Sequence, residues 1–285
     1  MKSLRAFDEK EMAFLEPTEK IGLLATVNPS GLPHITLITA MQAKTPMQII
    51  WGQFTEGHSK RHVLQNTNTG FLILTMDRKL WRGKASYTHF VKEGEDYGMF
   101  NDKPMFRYNS YFGIHTVHYM DLLETYGQEA LPLPQIAASS VISTAARFLT
   151  QTHEKERILK PWAQGLFNRL GSLKFLSYID ADGYPVIIPI IQCQAAGSGR
   201  LVFSHLAYPD ELTKIPQGAS VAVFCITTSM EDVLVRGAYR KKGRRSAALG
   251  IVDIDWVYNS MPPCHGQIYP PLPLEPVTDF STPRT

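Results

Sequence analysis

One strand–turn–strand signature occurs twice in this chain, and a sequence that repeats its own plan is constrained to fold as two like units. Residues 24–38 and 176–190 both read as an apolar strand, a polar tight turn closing on Gly-x-Pro, and a second apolar strand. Gly31 and Gly183 mark the two turns and stand 152 positions apart. The shared chemistry has a simple cause. Asn, Asp and Gly accept the positive φ of a hairpin, and Pro33 and Pro185 preset the way out.

The match continues downstream. Gln48–Trp51 answers Arg200–Phe203 as a third strand, and Gly70–Thr75 answers Ser220–Cys225 as a fourth. Trp81–Gly83 answers Val235–Gly237 as a fifth, with glycines 154 positions apart. A helix-like segment precedes each copy, Asp8–Leu15 in the first and Lys160–Leu170 in the second. Short strands broken by turns predict small antiparallel barrels, so the expected fold is mainly β with flanking helices (α+β). The expected organisation is a first barrel over 1–130 and a connecting helix over 131–153. A second barrel follows over 154–258, then a Pro-rich extended tail over 259–285. The connecting helix rests on apolar residues at helical spacing, among them Ile136, Val141, Ala145 and Phe148.

Composition narrows the function classes. With 44% hydrophobic and 19% charged residues in a chain of 285, two packed cores are within reach. The net charge of +3 supplies no field that calls for nucleic acid or an anionic membrane. No apolar run approaches the ~20 residues of a membrane span, and residues 1–16 have no signal-peptide core. Three scattered cysteines without a CxxC pair fit a reducing, cytoplasmic setting, with Cys193 and Cys225 as inert core residues. No metal site is expected, because His115 and His118 would point to opposite faces of a strand. The basic run Tyr239–Arg245 reads as a solvated turn. Dinucleotide, Walker and serine-hydrolase motifs are absent from the sequence.

The segment that carries chemistry follows the third strand of the first copy. Trp51, Gly52 and Gln53 end that strand; then come Gly57, His58, Ser59, Lys60 and Arg61 at a helix start. A hydroxyl, free backbone N–H groups, the helix dipole and two cations make a clamp for a phosphate. Positive charge at a helix N-terminus is unfavourable unless an anion sits there. The second copy has Pro209, Asp210 and Glu211 in this place, which would repel a phosphate. One half is therefore expected to bind and the other to support.

The order of these features resembles the FMN-binding split β-barrels of the pyridoxamine 5′-phosphate oxidase type, over about residues 8–125 and again over about 155–258. Ser59-Lys60-Arg61 is similar to the family's Ser-Arg-Lys phosphate clamp with the cations exchanged. Trp81-Arg82-Gly83 is similar to the strand that passes the flavin ring edge. Where the oxidases carry a phosphate-holding arginine after Gly-x-Pro, this chain has Thr36. The resemblance implies two fused split β-barrels and bound FMN. It implies cofactor contacts from Thr36, Thr39, Trp51, Gly52, Gln53, His58, Ser59, Lys60, Arg61, Trp81 and Arg82, and it singles out no catalytic residue. The substrate-gripping residues of the true oxidases have no match. The implied activity is a flavin-dependent oxidoreductase with an unassigned small-molecule substrate and electron donor. A non-catalytic flavin carrier or sensor, or a haem or deazaflavin barrel, stays open. The family's pairing of barrels implies an internal pseudo-dimer, with a homodimer also open, and Trp162, Arg236 and Tyr239 are candidates to reach across.

Overall fold

A computed structural model describes residues 3–16, 20–53, 55–102, 113–151, 156–243, 248–259 and 266–272. Two compact units emerge from its contacts: residues 1–131 with 181–187, and residues 132–180 with 188–285. Each is built around one antiparallel sheet with flanking helices.

In the first unit α1 (Glu9–Phe14) precedes β1 (Lys20–Val27), β2 (Pro33–Leu37), β3 (Met41–Thr45) and β4 (Gln48–Gln53). Then come α2 (His58–Gln65), β5 (Asn68–Thr75), β6 (Lys79–Val91), α3 (Glu95–Asp102), β7 (Thr116–Thr125) and β8 (Glu129–Ala130). Asp8 and Glu11 close a capping box on α1, each side chain taking the other's backbone N–H, which satisfies donors that a helix start leaves orphaned. The strand order is β2-β1-β5-β6-β7-β4-β3. One face of this sheet gathers Leu24, Trp51, Phe71, Ile73, Trp81 and Met120 into a single buried cluster.

The second unit opens with α4 (Leu133–Leu149) and α5 (Pro161–Asn168). β9 (Leu173–Ile179), β10 (Pro185–Pro189), β11 (Gln194–Ala195), β12 (Arg200–Ser204) and α6 (Pro209–Leu212) follow, then β13 (Ser220–Ile226), β14 (Asp232–Lys242), β15 (Leu249–Asn259) and β16 (Gly266–Tyr269). Its order, β10-β9-β13-β14-β15-β12-β11, is the first sheet's order with the numbers shifted. The two sheets are therefore copies of one topology, mainly β as the sequence predicts. Gly31 (φ 75°) and Gly183 (φ 81°) take the left-handed conformation that their turns require.

Strand registers correct the sequence alignment of the two copies. Leu24 pairs with Phe71 and Phe71 with Gly83. In the second sheet Leu176 pairs with Val223 and Val223 with Val235. The 152-residue spacing of the two turns thus holds through the fifth strand. Gly70 is answered by Ala222 rather than Ser220, and Gly83 by Val235 rather than Gly237. A slip of two residues keeps every side chain on its original face, so alternation alone cannot detect it. Arg236 consequently answers Lys84, whereas Arg82 is answered by Leu234.

Among the described residues no helix is long and apolar enough to cross a membrane. Arg244 and Arg245 of the basic run, most of the aromatic stretch after Phe100 and residues 273–285 of the Pro-rich tail lie outside the described residues. Cys193 and Cys225 are fully buried, and desolvation pushes both thiols up, Cys225 to about 12. Such thiols stay protonated and unreactive at neutral pH.

Candidate functional site

The end of β4 and the start of α2 bring polar groups into the buried end of the first sheet's inner face. Trp51 and His118 are cross-strand partners on β4 and β7, so their side chains share a face. Their rings stack at 3.9 Å with planes 10° apart. Two residues on, Gln53 lies on the same face, its Oε1 2.7 Å from His118 Nε2. Gln53 Nε2 donates to Glu56 Oε1 at 3.1 Å, which ties the strand end to the loop before α2. Gly52 between them is there for space. A Cβ would lie 2.8 Å from the Ile114 side chain.

The helix start then supplies three donors of different kinds. The N-cap, Gly57, contributes no side chain to close the α2 amides. Ser59 is fully buried, and its Oγ has no hydrogen-bond partner among the described residues. The Trp51 indole N–H is buried and unpartnered in the same sense. Leaving such a group unsatisfied costs about 1–3 kcal/mol, so two of them at one strand end point to a missing acceptor. Lys60, only 8% exposed, adds a buried cation. Burial pushes its amine down to about 8, against a smaller upward pull from Glu56. The Lys60 charge also acts on His118, which burial first and Lys60 second hold near 3. His118 is therefore neutral at physiological pH.

Beside this group His34, His58 and His62 cluster, with ring centroids 5.2–5.8 Å apart. His62 Nδ1 sits 3.1 Å from Thr26 Oγ1. His34 pairs with Thr26 across β1 and β2, so it shares the inner face. Thr36, two residues further, pairs with Leu24 on that face and is half-buried. Thr39 is half-buried in the turn after β2.

Of the eleven residues named from sequence, the structure gathers Trp51, Gly52, Gln53, Ser59 and Lys60 at one place, with His58 alongside. Arg61 differs from its neighbour. It is exposed, because one helical step turns it by about 100° away from the buried face. Trp81 and Arg82 have their polar groups engaged elsewhere. Trp81 Nε1 donates to Glu11 Oε1 at 3.1 Å, deep in the core cluster. Arg82 lies on the opposite face, its guanidinium bound to both carboxylate oxygens of Glu129 at 2.7 and 3.0 Å. Through these contacts both side chains tie β6 to the rest of the unit. Tyr239 is likewise spent, fully buried with its hydroxyl 2.9 Å from His205 Nε2. Arg236 lies over the Trp256 ring at 4.1 Å, and Trp162 is 43% exposed.

Sequence reasoning missed His118 and Glu56 as members of the constellation. For His118 the sequence offers more than its spacing from His115. The informative signal was its strand alternation, since a residue in register with Trp51 must share the face of Trp51 and Gln53.

In the second unit the same positions are closed. At the 152-residue offset Phe203 answers Trp51, and its strand partner is Gly250. A Cβ on Gly250 would lie 2.3 Å from the Phe203 ring, so the ring occupies the space that His118 takes in the first unit. Asp210, Glu211 and Leu212 stand where His58, Ser59 and Lys60 do, on a four-residue helix with an acidic first turn.

No protein-family model matches this sequence, and no curated protein matches it. Solved structures are similar over part of the chain. Group A Streptococcus HupZ is 16% identical, with 42% of this chain and 93% of that one covered and a TM-score of 0.36. An FMN-binding protein from Syntrophomonas wolfei is 14% identical over 39% and 77%, with a TM-score of 0.32. An F420 reductase is 18% identical over 38% and 90%, with a TM-score of 0.29. Likenesses this partial leave the function to be read from the site itself.

Proposed function

We propose that the first unit binds FMN and that the chain is a flavin-dependent oxidoreductase, with the second unit carrying no flavin. The carrying observation is the pair of unsatisfied buried donors, Ser59 Oγ and the Trp51 indole N–H, beside the buried Lys60 cation at an uncapped helix start. An anion with further polar groups behind it answers all of them. FMN has a phosphate for Ser59, Lys60 and the α2 amides, and hydroxyls and ring heteroatoms for Trp51, Gln53 and Thr36. Bound flavin supplies hydride or electron transfer, and the protein's part is to orient the cofactor and exclude water from it. That division fits a site whose histidine is held neutral and whose side chains form no acid–base pair. In this reading Arg61 gives only long-range charge at the surface, and Trp81 and Arg82 act by holding β6 in place.

The test is the visible absorption spectrum of the purified chain, with the released chromophore identified by mass. One FMN per chain supports the reading. Two per chain contradict the closed second site, a Soret band replaces flavin by haem, and no chromophore after soaking with FMN removes the function. Stopped-flow reduction of the bound flavin by a nicotinamide donor, followed by reoxidation with a small-molecule acceptor, separates an enzyme from a carrier.

A further inference from the structure

Helix α4 is amphipathic in the reverse sense. Its buried line is Ile136, Ser139, Ser143 and Ala146, half of it serine. That line packs on β12, where Ser204 N donates to Ser143 Oγ at 3.0 Å, and on β11. The opposite side is apolar and in water. Val141 is 72% exposed, Ile142 42%, Phe148 65% and Leu149 86%, with Ala138 and Ala145 exposed between them. Burying serines while exposing valine and phenylalanine is unfavourable for a lone helix face, and contiguous apolar patches of this extent mark interaction surfaces.

We propose that this stripe is a self-association surface, on which α4 packs antiparallel against α4 of a second copy of the chain. Spacing comes first. Ala138, Val141, Ala145 and Phe148 follow one another at steps of three, four and three, the seam of two packed helices. Shape then selects the partner and its direction. Setting Phe148 against Ala138 of an antiparallel copy sets Val141 against Ala145, so every layer joins a large side chain to a small one. The arrangement is its own complement, as a two-fold interface requires. A parallel pair would instead stack Phe148 on Phe148 and leave a gap at Ala138. Extent agrees: beside the seam residues Val141 and Phe148, Ile142 and Leu149 are 42% and 86% exposed and widen the apolar side that a second helix would cover. Charge argues against an anionic membrane. The stripe's one cationic neighbour is Arg147, half-buried with Nη1 3.3 Å from Gln194 Oε1 and its guanidinium 4.9 Å from the Phe148 ring, which leaves it turned to the protein rather than to a headgroup.

Sedimentation equilibrium of the full chain tests this. The expected result is a dimer at micromolar concentration. Val141→Glu should weaken it at least a hundredfold while leaving the circular dichroism spectrum and melting temperature unchanged, since the position is exposed. Leu170→Glu, at a residue that is 77% exposed outside the stripe, should leave the dimer intact. Ala138→Phe should also break the dimer by crowding Phe148. A monomer at ~100 μM, or a dimer indifferent to Val141→Glu, overturns the proposal, and a dimer tightened by Ala138→Phe overturns its antiparallel direction. Flotation with phosphatidylcholine vesicles, lost in Val141→Glu, would show lipid to be the occupant and overturn it equally. Flavin content enters none of these readings.

Discussion

Where β4 of the first unit stacks Trp51 on His118, β12 of the second lays Phe203 across Gly250, and the two places differ in little else of the backbone. Strand order, turn and pairing register are shared. Even the buried tyrosine is shared: Tyr87 OH lies 3.4 Å from His118 Nδ1, and its counterpart Tyr239 lies 2.9 Å from His205 Nε2. The histidines come from different segments, His118 from β7 and His205 from the bend after β12, so the tyrosine tie belongs to the scaffold. What separates the units is a handful of side chains. One end keeps an indole N–H and a serine hydroxyl without an acceptor among the described residues, beside a buried lysine. The other fills the equivalent space with a phenyl ring and places carboxylates on its short helix. In the proposed reading, a duplicated unit changes from binding to support through packing and charge, with the strand order kept.

The strongest way to break this comparison is Lys60→Ala. Hydrogen bonds to charged groups are worth about 1.5–3 kcal/mol, so FMN affinity should fall about a hundredfold by fluorescence titration. Glu211→Gln, at the position answering Ser59, should leave that affinity unchanged. Equal effects of the two would mean that the units are not divided as proposed.

Gly250→Ala sharpens the comparison from the other side. Its methyl meets the Phe203 ring, and overpacking of this kind costs about 1–3 kcal/mol. A urea midpoint unchanged by the substitution would show that the second unit has room where the structure shows none.

Titration of Lys60 gives a third, smaller effect. The folded amine sits near 8, below its ordinary 10.5, so it loses its charge as pH rises through about 8. A bound phosphate favours the charged form and raises that value. The preference for FMN over riboflavin should therefore be flat between about pH 7, above the second phosphate pKa of about 6, and pH 8, and fall above that by up to about tenfold per pH unit. A preference constant to pH 10 would exclude Lys60 from the phosphate contact. Arg61→Ala should show the least change, within about fivefold, because an exposed charge in high dielectric is worth at most about 1 kcal/mol. A loss as large as that of Lys60→Ala would reverse the assignment of the two cations.

Much of the plan was legible in the residues. The hairpins at Gly31 and Gly183 needed a left-handed turn residue, and the repeat of apolar runs around them gave the tandem. The change from the cations Lys60 and Arg61 to the carboxylates Asp210 and Glu211 separated the two halves without coordinates. The register of the fifth strand was not legible, because Arg82-Gly83 and Arg236-Gly237 look alike and a two-residue slip preserves the facing of every side chain. The partners of Trp81 and Arg82 were not legible for a related reason. Their residue types suit a ligand, but Glu11 lies 70 positions from Trp81 and Glu129 lies 47 from Arg82. Only the folded chain shows those partners.

The sequence by itself determined that this protein is two copies of one antiparallel plan, and that only the first carries cations at its helix start. Those facts depend on local chemistry: turn propensity, alternation and the sign of charge. The tertiary structure decided which of two adjacent cations is buried, that His118 lies under Trp51, and that Phe203 closes the second unit. It also decided that α4 turns its serines inward and its apolar side out. Each of these depends on which distant side chains occupy the same few ångströms, and no pattern along a single strand or helix carries that information.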